Sequence, residues 1–345
     1  MPRAGATPRE RRHHPPSPSH RTSPFGAIDV TARTSLPRRT AALLLAGAAL
    51  AAATACGDQR DHGHAGGKPR TSAADARLAD RLPEDVRSAG VITVGSDIAY
   101  PPVEFVDASG EVTGLDVDIA RALGNQLGVG VRFENGTFDT LVTGLRANRY
   151  DIVMSAMNDT EDRQNGIDSA TGKKVGEGVD FVDYFTAGVS LYGRRKDTGD
   201  VRGWTDLCGR TVAVQRGTVA HDLAKTERDT CARAGGPPLD LEAYDTDQQA
   251  QTRVRSGGAD VGCSDFPAAA YAVKTSGGGK DFTLIGEQTG AAPYGIAVAK
   301  RDTRLRDALA AALDAIIASG QYGKILADWG GQDGAVTKAV INGGA

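Results

Sequence analysis

Aromatic residues and excess positive charge are both scarce in this sequence, and each shortage argues against a class of partner. Phe, Trp and Tyr make up 5% of the 345 residues, which leaves no stacking platform for nucleobases or sugars. The formal net charge is -3, whereas a surface that follows nucleic-acid phosphates needs a clear cationic excess. With 24% charged and 40% hydrophobic residues, the composition is typical of a soluble globular protein, and we expect no nucleic-acid partner.

Histidine is equally sparse, which limits the chemistry that the folded part can perform. His221 is the only histidine after residue 64, and we find no Gly-x-Ser-x-Gly elbow and no ligand set with metal spacing. His62 and His64 lie close together but apart from other candidate ligands, so we interpret them as part of a solvated segment. We therefore expect no metal, no cofactor and no secreted hydrolase.

The N-terminal region has the pattern of an export signal. Residues 1–40 are rich in arginine, and an uncharged apolar run over residues 41–55 leads to Cys56. A basic region, a short apolar region and small residues before a cleavage site predict a signal peptide. The apolar run is shorter than the ~20 residues that a membrane-spanning helix needs. We predict that residues 1–55 are a basic leader and signal peptide, and that residues 56–82 are a flexible tether.

The rest of the chain alternates short β-rich runs with amphipathic helical patterns. Leu115, Ile119, Leu123 and Leu127 are spaced four residues apart, which predicts one buried face of a helix. The predicted strands before residue 200 are 91–94, 129–133 and 151–154, and those after it are 211–214, 260–263 and 294–298. This alternation is typical of parallel sheets flanked by helices, and its repetition indicates two α/β lobes. Residues 168–178 interrupt the pattern as a predicted surface hairpin or insertion.

Several motifs resemble those of the family 3 extracellular solute-binding proteins, the substrate-binding lipoproteins of amino-acid ABC importers. The resemblance covers about residues 88–332. The matching segments are Gly95–Phe105, Gly114–Ile119, Phe181–Phe185, Val214–Thr218, Ser264–Pro267 and Pro293–Val298. The resemblance implies a two-lobe periplasmic-binding-protein fold, type II-like, with two crossover hinge strands. Lobe I would comprise residues 88–187 plus 292–345, and lobe II residues 188–291.

The resemblance also implies where a ligand would bind between the lobes. The implied ligand-binding residues are Asp97, Tyr100, Phe138, Ala156, Asn158, Arg163, Gly217, Thr218 and Asp265. Arg163 would pair with a ligand carboxylate, assisted by backbone N–H groups at the start of a helix. Asp265 would accept from the ligand ammonium, and Asp97 would meet the distal polar group.

Further roles follow for neighbouring positions. Tyr100 and Phe138 would form aromatic walls. Asn158 replaces a hydroxyl residue of many family members and could accept from the ammonium through its amide oxygen. Asp116 and Asp118 are interpreted as structural caps rather than ligands.

The cysteines fit an exported protein. The segment Ala53–Cys56 resembles a bacterial lipobox, in which Cys56 would be lipidated. Because export predicts oxidising surroundings, we expect a disulfide between Cys208 and Cys231, closing a loop of about 23 residues. Cys263 is expected to be a buried free thiol.

Together these features predict an exported lipoprotein on the outer face of the cell membrane, held there by its lipid anchor alone. It would bind a polar or basic L-amino acid as a monomer and deliver it to an ABC permease with its ATPase, without enzymatic activity. Two alternatives remain open. One is an enzyme on the same scaffold, similar to cyclohexadienyl dehydratase, and the other is a ligand-sensing receptor domain.

Overall fold

The structure is a computed structural model that describes residues 78–169 and 171–344. The predicted leader, the signal peptide, Cys56 and most of the predicted tether lie outside the described residues. Among the helices that the structure describes, none combines the length and the apolar character needed to cross a bilayer.

Helices and strands alternate along the described chain. The α-helices are α1 (Glu84–Ala89), α2 (Leu115–Leu127), α3 (Leu141–Arg146), α4 (Glu161–Asn165), α5 (Val219–Arg233), α6 (Asp247–Arg255), α7 (Phe266–Thr275), α8 (Thr303–Ala318) and α9 (Gln321–Trp329). Single 3₁₀ turns occupy Phe138–Thr140, Trp204–Asp206, Ser276–Gly278 and Gln332–Gly334. The strands before residue 200 are β1 (Val91–Ser96), β2 (Ala99–Tyr100), β3 (Glu104–Val106), β4 (Val112–Thr113), β5 (Gly130–Asn135), β6 (Ile152–Val153), β7 (Ile167–Asp168), β8 (Lys173–Lys174) and β9 (Val179–Arg194). The later strands are β10 (Thr211–Gln215), β11 (Asp240–Tyr244), β12 (Val261–Asp265), β13 (Phe282–Ala299) and β14 (Ala335–Ile341).

The main sheet consists of two parallel parts that are joined by one long antiparallel pair. Its order is β11-β10-β12-β9-β13-β6-β1-β5, and β14 pairs with β9. Strand β1 runs parallel to β5 and β6, and β10 runs parallel to β11 and β12. Strands β9 and β13, of 16 and 18 residues, are antiparallel to each other and pass through both parts. This topology confirms the predicted mixed α/β fold with two crossover strands.

The apolar core divides into clusters on either side of the long pair. The face of α2 predicted from its four-residue spacing is buried, with Leu115, Ile119, Leu123 and Leu127 all at most 2% exposed. This face packs in a cluster with residues of β1, α8 and α9. A separate cluster forms around β10, β12 and α5. Strand β9 contributes residues to both clusters, so the chain passes from one packed body to the other along β9 and β13.

The pairing of β9 with β13 is irregular between the two bodies. Its register shifts between Ile285 and Thr289 and again between Thr289 and Ala292. Residues 286–291 of β13 are exposed. Gly286 has φ +65°, and a Cβ there would lie 2.7 Å from the carbonyl oxygen of Arg202. A glycine is therefore required at this point, where the pair is held by the fewest packed side chains.

Two local predictions can be compared directly with the structure. Strands β7 and β8 pair antiparallel, which confirms the predicted hairpin in the 168–178 segment. Cys208 lies in the segment before β10 and Cys231 lies on α5, and the two are joined in a disulfide bond, as predicted. Cys263 is a buried free thiol on β12.

Candidate functional site

A narrow polar cavity lies where the carboxyl ends of the parallel strands of both bodies meet. The residues that line this inner cavity are Asp97, Tyr100, Glu104, Phe138, Ser155, Ala156, Asn158, Gln215, Thr218 and Asp265. Seven of the nine residues implied by the resemblance are among them. Arg163 and Gly217 instead line an adjoining, more open cavity, which shares Phe138 with the inner one. Crevices at the carboxyl ends of strands are the usual ligand sites of open α/β sheets.

Asp97 forms one acidic position of the inner cavity. It directly follows β1 and is 4% exposed. Its backbone N–H donates to Ser155 Oγ at 3.0 Å, and its Oδ2 accepts from Gln215 Nε2, which lies at the end of β10 in the other body. Burial raises the pKa of Asp97 to about 6, although the hydrogen bond from Gln215 opposes the rise. The carboxylate is therefore desolvated and forms no ion pair with any described residue, and a bound cation would stabilise its charged form.

Asp265 forms a second acidic position, at the end of β12. It is 7% exposed, and its backbone N–H donates to the Tyr100 hydroxyl at 3.1 Å. Burial raises the pKa of Asp265 to about 7, while the hydroxyls of Tyr294 and Tyr100 and the charge of Arg163 oppose the rise. The two acids come from different bodies, Asp97 directly after β1 and Asp265 at the end of β12. The inner cavity therefore has two acidic positions.

Behind Asp97 lies a buried hydrogen-bonded network that sequence reasoning missed. Glu104 is fully buried, and its Oε1 accepts from Ser155 Oγ at 2.8 Å. The same Ser155 hydroxyl accepts from the Asp97 backbone, so Glu104 positions Asp97 through Ser155. Burial, together with the charge of Asp116, raises the pKa of Glu104 well above its ordinary value. Glu104 and Asp116 are therefore two neighbouring acids buried behind the cavity wall. Its place within the Gly95–Phe105 segment was visible in the sequence, but its burial was not.

The two acids of the Gly114–Ile119 motif are not helix caps, so that interpretation was wrong. Helix α2 begins after Gly114 and has no side-chain cap. Asp116 is fully buried and accepts from the backbone N–H of Ala156 at 2.9 Å and from the hydroxyl of Tyr184 at 2.7 Å. Ala156 has φ +48°, a left-handed conformation that an L-residue rarely adopts, and Asp116 stabilises it. Asp118 instead accepts from Trp329 Nε1 at 2.9 Å.

Arg163 connects the two bodies beside the inner cavity. Its Nη1 donates to the carbonyl oxygen of Asn158 at 2.6 Å, and its Nη2 donates to that of Gly217 at 3.0 Å. Its Cζ lies 5.6 Å from the centroid of the Phe138 ring, within the range of a cation–π contact. A guanidinium has five N–H donors, so these two bonds leave donors on Arg163 for a further acceptor. Burial lowers the pKa of Arg163 from its ordinary value.

The loop at the start of α5 contributes one of the two backbone donors expected there. The N–H of Gly217 donates to His221 Nδ1 at 3.3 Å, so it is not directed into the inner cavity, contrary to expectation. Thr218 caps α5, since its Oγ1 accepts from the His221 N–H at 3.1 Å and donates to the Gln215 carbonyl at 2.8 Å. The backbone N–H of Thr218 has no acceptor among the described residues. It remains a donor at a helix N-terminus, where anions are stabilised.

Contacts across the site also depend on close backbone approach. Gly217 has φ +78°, and a Cβ on it would lie 2.8 Å from Cβ of Asp139. Gly217 belongs to the β10–α5 connection, and Asp139 belongs to the 3₁₀ turn on the opposite side. The absence of a side chain at Gly217 allows the two bodies to approach closely.

Similarity to known proteins agrees with this geometry. Residues 92–332 match the family described as bacterial extracellular solute-binding proteins, family 3. The arginine-binding protein ArgT of Corynebacterium glutamicum is 32% identical over 262 residues, which cover 76% of this chain and 81% of that protein. The structure of an ancestral arginine-binding protein bound to arginine gives a TM-score of 0.61 at 29% identity, covering 70% of this chain and 98% of that one.

A second solved structure is relevant to enzymatic activity on this fold. It is an ancestral amino acid-binding protein described as a precursor of cyclohexadienyl dehydratase, with a TM-score of 0.62 at 29% identity. It covers 71% of this chain and 98% of its own length. The family match spans most of the described residues, in a fold of two α/β bodies with a polar cavity between them. The chain therefore belongs to the bacterial extracellular solute-binding proteins of family 3.

Proposed function

We propose that this protein is the extracytoplasmic substrate-binding component of an ABC importer and that its ligand is a basic L-amino acid, arginine above all. The observation that carries the proposal is the pair of separate, desolvated carboxylates at Asp97 and Asp265. A basic amino acid has two cationic groups, one on its α-carbon and one at the end of its side chain. A neutral amino acid has only the first and would leave one of the buried carboxylates without a partner. The similarity to proteins named as arginine-binding supports the same choice.

We assign the groups of the ligand to the site as follows. Asp265 accepts from the α-ammonium, with Asn158 beside it. Arg163 and the Thr218 N–H receive the α-carboxylate, by charge-assisted hydrogen bonds and at a helix N-terminus. The ligand side chain passes between Tyr100 and Phe138, and its cationic end reaches Asp97.

The remaining residues of the implied set act through their backbone. Ala156, held in its left-handed conformation by Asp116, shapes the cavity wall between Asp97 and Asn158. Gly217 allows the loop before α5 to close over the ligand. The place of Ala156 in the wall of the inner cavity and the close approach of Gly217 to Asp139 support these roles.

We also propose that capture is accompanied by a hinge motion of two lobes, residues 88–187 plus 292–345 and residues 188–291. Four side-chain hydrogen bonds among the described residues cross between these segments: Gln215 to Asp97, Asp265 to Tyr100, Arg163 to Gly217, and Ser169 to Asp222. A ligand that contacts both lobes adds to these bonds and stabilises the closed arrangement by its differential affinity.

Delivery completes the proposed function. A membrane permease with its ATPase would recognise the closed form and accept the ligand. The lipobox-like segment at Cys56 supports attachment of the protein to the outer face of the membrane by a lipid. The tether predicted over residues 56–82 was too long at its end, because Leu82 is fully buried in the core and Leu78 packs against it. We propose residues 57–77 as the tether. We propose that the protein acts as a monomer.

The decisive experiment is a thermal-unfolding screen of the protein against the twenty amino acids. A ligand at 100 times its Kd adds about 2.7 kcal/mol to the free energy of unfolding, which raises the Tm by roughly 5–10 °C for a protein of this size. We expect arginine to give the largest shift. Asp265→Asn should abolish the shift, whereas Asp328→Asn, a control at an exposed carboxylate, should leave it unchanged. The absence of a shift with every amino acid would refute the proposed ligand class.

One observation favours a second candidate, an enzyme on the same scaffold. The inner cavity contains a buried carboxylic acid, Glu104, and the fold resembles that of a precursor of cyclohexadienyl dehydratase. Incubation of the protein with a cyclohexadienyl carboxylic acid, followed by chromatography, distinguishes the two. Product formation that Glu104→Gln removes would favour the enzyme, and an unchanged substrate would favour the binding protein.

A further inference from the structure

A second polar pocket lies in the body that contains β10 and β12, and it shares no lining residue with the inner cavity. It is formed by the end of β9, the end of α6 and the loop that leads into β13. We call it the cationic pocket, and its lining residues are Arg194, Arg195, Lys196, Arg255, Lys280 and Asp281. Five of these six residues are cations, on a chain whose formal net charge is -3.

The positive charge of this pocket is not neutralised by neighbouring side chains. Arg194 is engaged in the structure, since its Nε donates to Asp197 Oδ2 at 2.8 Å and its Nη1 donates to two backbone carbonyls. The other four cations form no ion pair within 4.0 Å among the described residues. The carboxylate of Asp281 accepts a hydrogen bond from Ser276 Oγ at 2.8 Å. Like charges held this close repel one another, and an anion between them would relieve the repulsion.

The loop beside these cations makes a tight turn. Gly277, Gly278 and Gly279 have φ of +56°, +66° and +80°. The N–H groups of Gly279, Lys280 and Asp281 all donate to the carbonyl oxygen of Ser276. This turn places Lys280 and Asp281 directly before β13, at the edge of the pocket.

We propose that the cationic pocket binds a phosphate-bearing anion. Arg195 and Arg255, which form no ion pair among the described residues, provide planar donor forks that match the geometry of phosphate oxygens. One Arg195 nitrogen donates to the carbonyl oxygen of Gly279 at 3.4 Å, which leaves its other donors available. Lys196 and Lys280 provide compact point charges. The phosphate can belong to a soluble anion or to the headgroup of an anionic lipid, which a protein held at a membrane surface would meet.

The test measures protection of individual lysines in the full chain by quantitative amine acylation and mass spectrometry. Pyrophosphate should slow the acylation of Lys196 and Lys280 at least threefold and leave Lys173 and Lys174, in the β7–β8 hairpin, unchanged. Vesicles of phosphatidylglycerol replace pyrophosphate in a second arm, with phosphatidylcholine vesicles as their control. Protection by pyrophosphate alone identifies a soluble phosphate, and protection by phosphatidylglycerol vesicles identifies a lipid headgroup. Equal rates with and without both probes would overturn the proposal.

Variants establish whether the protection depends on the pocket. Arg255→Gln should reduce the affinity for the protecting probe about fivefold, the effect of one cation near an anionic surface. The double variant Lys173→Gln, Lys174→Gln removes more charge from an exposed hairpin and should have no effect on Lys280. Weaker protection of Lys280 in the hairpin variant, or an unchanged affinity for the probe in Arg255→Gln, would show that the effect is general electrostatics. Either result would contradict a built site. Equal Tm values confirm that the variants fold.

Discussion

The most discriminating prediction concerns Asp97, which we expect to select ligands with a cationic side chain. The change is Asp97→Asn, which keeps the size of the side chain and its ability to accept the hydrogen bond from Gln215. It removes the charge that would meet the ligand's distal cation. We therefore expect a large loss of affinity for arginine and a small effect on glutamine, whose side chain is neutral.

The magnitude follows from the desolvation of Asp97. Its pKa lies at about 6 against an ordinary value of 3.8, so the charged form is destabilised by about 3 kcal/mol in the folded protein. A bound guanidinium that restores the charged form recovers a comparable free energy. Removal of one partner from a buried charge pair costs about 2–5 kcal/mol in binding. We thus expect the Kd for arginine to rise about 100-fold, with the Kd for glutamine changing less than threefold.

The same substitution should change stability in a pH-dependent way. Because the folded-state pKa is raised, the wild-type protein loses stability from this group as the pH rises from about 3.8 to about 6, and the loss is complete above pH 6. Without added ligand, Asp97→Asn should therefore be more stable than wild type at pH 8 and equally stable near pH 3.5.

Isothermal titration calorimetry gives both dissociation constants, and urea unfolding at the two pH values gives the stability change. Equal losses of affinity for arginine and glutamine would mean that Asp97 shapes the cavity without contacting the side chain. That result would refute the assigned role.

Three further predictions test other parts of the site and fold. The ratio of arginine affinity to glutamine affinity should fall as the pH decreases through 6, because protonated Asp97 attracts no cation. Binding titrations between pH 7.5 and 5 measure this ratio, and a constant ratio would show that the assignment of Asp97 is wrong. Gly217→Ala should weaken arginine binding by preventing close approach to Asp139, and should also lower the Tm without ligand, because Gly217 has φ +78°, where a side chain is strained; an unchanged Kd for arginine would contradict the role of the close approach. The double variant Cys208→Ser, Cys231→Ser opens a loop of 23 residues and should lower the free energy of unfolding by about 3 kcal/mol, with an unchanged Kd for arginine; equal stability in oxidising buffer would contradict this.

The fold could be predicted from the sequence because its signals are local. The four-residue spacing in α2 and the short β-rich runs each reflect the burial of one face or one strand, and the structure confirms them. The motif resemblance then brought seven of nine named residues to one cavity. Several of these residues line the cavity because Asp97, Thr218 and Asp265 stand at or just after the carboxyl ends of β1, β10 and β12.

The network behind the site could not be predicted, because its contacts join residues far apart in the chain. Gln215 reaches Asp97 across 118 positions, and Tyr184 reaches Asp116 across 68. The periodicity of a short sequence segment does not predict hydrogen bonds between residues so far apart. Asp116 was misread for the same reason, since an acid in the first turn of a helix is locally indistinguishable from a cap, whereas its actual partners come from β9 and the segment after β6.

The irregular pairing of β9 with β13 means that this protein can be tuned without altering any residue that touches the ligand. Its apparent affinity is the intrinsic affinity of the closed form multiplied by the fraction of molecules that are closed. Under the proposed hinge motion, that fraction depends on how readily the exposed segment 286–291 bends. Substitutions there would act on every ligand by the same factor and leave the order of preference intact. The preference among ligands and the apparent affinity therefore depend on separate stretches of the chain. Evolution can change one of these properties without changing the other.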